Sequence, residues 1–140
     1  MTLNPFVYGT ASSPNCFDEA SPCILEQTSM CVIHVATQAA NGDAMAAQAK
    51  YVPWLVCMDS NGDPVDQCNQ QVGVDSAAVQ SCLKNDAADL LKQYLQTDAP
   101  IRATPTTQVN GQQVKANYAA IKQAICGADS TVSACASVVV

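Results

Sequence analysis

The residues with most chemistry to offer are eight cysteines, Cys16, Cys23, Cys31, Cys57, Cys68, Cys82, Cys126 and Cys135. A cysteine can serve as a thiolate nucleophile, a metal ligand or half of a disulfide, and spacing helps to separate these roles. Structural zinc sites want Cys-x2-4-Cys pairs, and no two cysteines here lie that close. An even, dense and widely spaced set predicts four structural bridges formed in an oxidising compartment. Cys126 and Cys135, near each other at the end of the chain, form a natural local staple.

Other candidates are weaker. His34, the single histidine, falls mid-helix and reads as an ordinary surface or half-buried helix residue. Asp59, Asn61, Gly62 and Asp63 resemble the start of a calcium loop, but the spacing fails the EF-hand pattern and the closing bidentate glutamate is missing. Trp54 and Tyr51 read as packing residues. No metal or cofactor is expected.

Charge and composition narrow the partners. With 6 basic against 12 acidic residues and a net charge of -6, the chain offers no basic patch for a phosphate backbone, so nucleic acid is not an expected partner. No run approaches the roughly 18 apolar residues that span a bilayer, so it reads as not membrane-spanning. Met1-Thr2-Leu3-Asn4-Pro5 has neither the basic nor the apolar region of a signal peptide. Disulfides without a leader point to a missing N-terminal stretch, the alternative being delivery by another route.

These cysteines must be positioned by a mostly helical frame. Thr2 to Tyr8 reads as a short edge strand ended by Gly9, followed by a loop through Asn15. Ser21 and Pro22 give a cap-then-proline start, and Ile24, Thr28, Cys31, Val32, Val35 and Ala39 recur at helical spacing, predicting a helix over 22–40 that stops at Asn41-Gly42. Asp43 caps an alanine-rich helix that Pro53 should kink or break. Asp63-Pro64 and Asp75 start two short helices, a hairpin around Gly73 whose arms carry Cys68 and Cys82 as a second candidate pair. A further helix, capped at Asn85 or Asp86, presents Ala87, Leu90, Leu91, Tyr94 and Leu95 and ends before Pro100. Thr106 to Lys115, turning at Asn110-Gly111, predicts a β-hairpin with a type I′ turn. A last helix over about 116–126 should bury Tyr118, Ile121 and Ile125 and end at Gly127.

The spacing Cys16-x6-Cys23-x7-Cys31 after a Tyr-Gly loop resembles the signature of the gamma-interferon-inducible lysosomal thiol reductase (GILT) family, in which Cys-Gln-His-Gly leads to Glu-Cys and a third cysteine. Trp54-Leu55-Val56-Cys57-Met58, Cys68, Gly73-Val74-Asp75, Cys82, Leu90-Leu91, Thr97, the segment Thr104 to Gly111 and Cys126 follow the family's order over nearly the whole chain. Phe17, Asp18 and Glu19 depart from the family's Gln-His-Gly. The resemblance implies an α/β fold: a thioredoxin-like core over 1–15 and 98–126, an all-helical, disulfide-rich insertion over 16–97 and a tail over 127–140. The first strand and active-site helix would be absent. It places Pro105 at the superfamily's cis-proline, with Thr104 offering its backbone to a bound peptide.

Such reductases act through a Cys-x-x-Cys or Cys-x-x-Ser on the first strand-to-helix turn, where the helix end lowers the thiol pKa. No such motif stands in these residues, so no catalytic residue is expected among them. Two readings follow. In one, the chain is part of a thiol reductase acting on protein disulfides in a lysosomal, secreted or other lumenal setting. In the other, it is a non-catalytic, disulfide-stapled subunit whose partner covers an incomplete sheet.

Overall fold

Three aspartate- or asparagine-capped helices and two tight β-turns organise the chain. The computed structural model describes residues 3–17, 22–62, 64–102 and 104–136. Two units divide it, Met1–Ala99 and Pro100–Val140.

The first unit opens with a hairpin, β1 (Tyr8–Thr10) against β2 (Ser13–Asn15), and continues through five helices: α1 (Ile24–Ala39), α2 (Ala44–Asn61), α3 (Val65–Val72), α4 (Ser76–Asn85) and α5 (Ala87–Asp98). Thr2, where the expected strand was to begin, lies outside the described residues; from Leu3 on, the expected strand to Tyr8 and loop to Asn15 are both corrected. Pairing begins only at Tyr8, because Val7 gives its N–H to Asp98 Oδ2 at 3.1 Å rather than to a ladder, and Pro5 has none to give. Thr10 faces Ser13 across a two-residue turn, and Thr10 Oγ1 accepts from the Ser13 N–H at 3.1 Å.

At the centre of this unit is α1, packed against α2, α4 and α5. Met30, Cys31, Val32, Ile33, Val35 and Ala36 are all buried, so the burial of this β-branched run outweighs its modest helix propensity. Thr28 and Thr37 satisfy their hydroxyls inside this apolar setting by donating to the Ile24 and Ile33 carbonyls, each at 2.7 Å. The helix starts at Ile24 rather than at Pro22, with Cys23 in the left-handed region (φ 62) at the cap; Ser21 lies outside the described residues. It stops where expected, with Asn41 at φ 51 and the Gly42 N–H returned to the Thr37 carbonyl at 3.0 Å.

Asp43 caps α2 by accepting from Met45 and Ala46 N–H at 2.9 and 3.1 Å. The helix runs on through Pro53 to Asn61, which corrects the expected break. Pro53 and Ala49 are both exposed, so the Ala49 carbonyl that loses its helical partner can be hydrated, while Tyr51, Trp54, Cys57 and Met58 are buried along the same helix. Helix α3 begins one residue after Pro64, and Asp63 lies outside the described residues. Asp75 caps α4 through the Ala77 and Ala78 N–H at 2.8 and 3.3 Å.

The second unit holds β3 (Thr107–Val109) against β4 (Gln112–Val114), then α6 (Tyr118–Ala128) and a 3-10 turn at Ser133–Cys135. The hairpin turns at Asn110 (φ 50) and Gly111 (φ 76), the two positive φ values that a type I′ turn demands. Two expectations for α6 fail. It passes through Gly127 to Ala128, and it buries none of its residues within the described structure, Tyr118 being 76% and Ile125 37% exposed. The described chain is thus mostly helical with two small two-stranded sheets. No helix among the described residues is long and apolar enough to cross a membrane.

Candidate functional site

All eight cysteines are joined, as Cys16–Cys23, Cys31–Cys82, Cys57–Cys68 and Cys126–Cys135, and none is free. Their Cα separations, 5.9, 5.7, 5.7 and 5.5 Å, sit in the middle of the usual range for a bridge. Cys126–Cys135 is the local staple expected at the end of the chain. The expected Cys68–Cys82 pair does not form. Helix α4 packs its Cys82 on α1 and α3 packs its Cys68 on α2, so each bridge follows the stronger helix contact rather than the α3–α4 turn. Cys23, Cys31, Cys68, Cys57 and Cys82 are almost fully buried, which suits structural staples and denies them a thiolate's access to solvent. Four bridges suit an oxidising, extracellular or lumenal setting.

Thr104 and Pro105, joined by a cis peptide bond, are separated from β3 by Thr106 alone. Both are exposed, and so is Gln108 in the strand they lead into. The corner therefore offers backbone and a proline face to solvent within its own unit.

The remaining candidates have ordinary surroundings. His34 is hydrogen-bonded to Gln38 at 2.8 Å, one turn along α1. Asp59 and Asn61 belong to the last turn of α2 and Gly62 caps it; Asn61 Nδ2 donates to the Cys57 carbonyl at 2.8 Å. These positions form a helix end rather than a calcium loop, and Asp63 lies outside the described residues. The sulfurs of Cys16 and Cys23 and a carboxylate oxygen of Glu26 lie within 4.8 Å of one another, but the two sulfurs are bonded to each other.

Sequence reasoning missed Asp98. It is buried at the C-terminal end of α5, where the helix dipole disfavours an acid. Its Oδ2 accepts the Val7 N–H, and its Oδ1 has no hydrogen-bond partner among the described residues. Burial pushes its carboxyl above the ordinary range, and the Val7 N–H only partly opposes that. Burial likewise raises the Tyr94 phenol, with Asp98 and Tyr51 adding to it. An acid in the last turn of a helix was the available signal.

No known family model, curated protein sequence or solved structure gives a significant match to this chain.

Proposed function

We propose that these residues form the helical insertion and the substrate-facing end of a GILT-like thiol–disulfide oxidoreductase with a thioredoxin-like core, acting on protein disulfides in an oxidising or acidic lumen. The observation that carries this reading is the order of elements. A disulfide-stapled helical block is followed by the Thr104-Pro105 corner, a hairpin turning at Asn110-Gly111 and a helix ending near Cys126. That is the order the GILT resemblance implies. In this reading the redox pair is supplied by sequence outside these 140 residues, Thr104 and Pro105 hold the backbone of the bound protein, and the four bridges are structural.

A second reading is favoured by the pairing of every cysteine. With no thiol free, the chain itself has no nucleophile for exchange, which suits a non-catalytic, stapled binding subunit.

One experiment separates the two. The protein is isolated from its natural source, its N-terminus is sequenced, and insulin reduction is assayed for it and for the 140-residue chain. The reductase reading expects a Cys-x-x-Cys ahead of Met1, alkylation-sensitive turnover by the natural protein and none by the 140-residue chain. A natural protein without an upstream pair, inactive in the assay, overturns it in favour of the binding subunit.

A further inference from the structure

A cleft of about 440 Å³ runs along the first unit between the N-terminal segment, α1 and α2. Leu25 and Ile33 of α1, Leu55 and Met58 of α2 and Phe6 form apolar walls, with the buried Trp54 behind them. Two carboxylates, Glu26 of α1 and Asp59 of α2, also line it, and no lysine, arginine or histidine does among the described residues. Asp59 is exposed and Glu26 half-buried.

Beside the cleft lies an aromatic platform. Phe6 stacks on Tyr8 and on Phe17, with ring centroids 5.9 and 5.5 Å apart, and Tyr8 and Phe17 are 6.0 Å apart. Tyr8 is 47% and Phe17 64% exposed. Large rings left in water as a cluster are uncommon unless something covers them. Phe17 follows directly on Cys16, whose bridge to Cys23 ties it to the start of α1, and the paired β1–β2 hairpin holds Tyr8. The platform is therefore largely pre-organised.

We propose that this cleft binds an extended polypeptide segment in which a lysine or arginine sits between apolar or aromatic side chains. Charge decides the sign of the ligand: two acids, no cation in the lining and a net charge of -6 repel anions and draw cations. The apolar walls select the aliphatic stem of a basic side chain, whose head then reaches the exposed Asp59. The platform continues the apolar surface beyond the cleft through Phe6, giving a footprint longer than one small amine and suited to the residues flanking the cation. The inference concerns the first unit alone and does not depend on the reductase reading.

Trp54 is the only tryptophan, so its emission reports occupancy of the cleft. The 140-residue chain is titrated with a short synthetic peptide carrying one lysine between leucine and phenylalanine, with the same peptide bearing norleucine for lysine, and with dodecylamine. Saturable binding of the lysine peptide is expected, about two- to fivefold weaker for the norleucine peptide. Asp59→Asn, at an exposed helix position that does not endanger folding, should weaken the lysine peptide and leave the norleucine peptide unchanged. Phe17→Ser should weaken both peptides. Equal affinity for the two peptides, no response to Asp59→Asn, or dodecylamine saturating at lower concentration than the peptide would each overturn the proposal, the last by making this a small-amine site.

Discussion

Trp54 Nε1 donates to Asn69 Oδ1 at 2.7 Å, and Asn69 Nδ2 donates onward to Ser76 Oγ at 3.0 Å. Trp54 and Asn69 are 1% and 0% exposed, so this chain of bonds joins α2, α3 and the start of α4 in the interior. Replacing Asn69 by leucine keeps the volume and orphans the indole N–H. The expected cost is about 1–3 kcal/mol, read by urea denaturation with the disulfides intact. A loss within ~0.5 kcal/mol, the scale of an ordinary surface substitution, would mean that the indole finds another acceptor.

Asp98 should make the first unit favour acid. Its carboxyl lies above the unfolded value of about 3.9, so the folded state holds the proton more tightly than the unfolded chain does. The resulting stabilisation is fully present below the unfolded pKa and is lost as pH rises through the raised folded pKa. Asp98→Asn keeps an acceptor for the Val7 N–H and removes the titration. The thermal midpoint of the wild type relative to this variant should therefore fall from acid toward neutral pH, and a difference that is flat or rises with pH contradicts the assignment.

The bridges should differ in weight. Cys31–Cys82 spans 51 residues and Cys126–Cys135 spans 9. By loop-closure entropy the first contributes about 4 kcal/mol and the second about 2.5 kcal/mol. Replacing each pair by alanine, with calorimetry on the products, should lower stability more for the long loop. Peptide mapping of the unreduced protein checks the pairing, and a Cys68–Cys82 peptide would contradict it.

The hairpin of the second unit depends on two left-handed residues. Asn110→Val places a β-branched residue at φ 50, which should cost about 1–2 kcal/mol and speed amide exchange at Val109 and Gln112. Unchanged exchange would show that the turn can relax to another type.

The later hairpin was legible because Asn110-Gly111 states its turn type outright. Asp43 and Asp75 announced their helices equally well, since an acceptor side chain at a helix start acts locally. The first hairpin was hidden: Ala11-Ser12 is a poor turn signal, Pro14 argues against a strand, and the turn is held by the Thr10 hydroxyl. Pro53 misled because a local penalty was outweighed by burial elsewhere along α2. The partners of Cys68 and Cys82 depend on which helices pack together, and spacing along the chain carries no such information. The acidic cleft and Asp98 likewise arise where Asn4 to Val7 meets α1, α2 and α5, far away in sequence.

No bridge crosses from residues 1–99 to residues 100–140. The two kinds of proteolytic nick therefore have different fates. A cut at 41–43 leaves the pieces covalently tethered through Cys31–Cys82, invisible on a gel until a reductant is added. A cut at 100–102 leaves no covalent tether between its products, and each fragment keeps its own staples closed. The helical block thus survives any single nick between Cys31 and Cys82 as one covalent body, whereas the link at 100–102 is the place where one cut divides the chain into two separately stapled polypeptides.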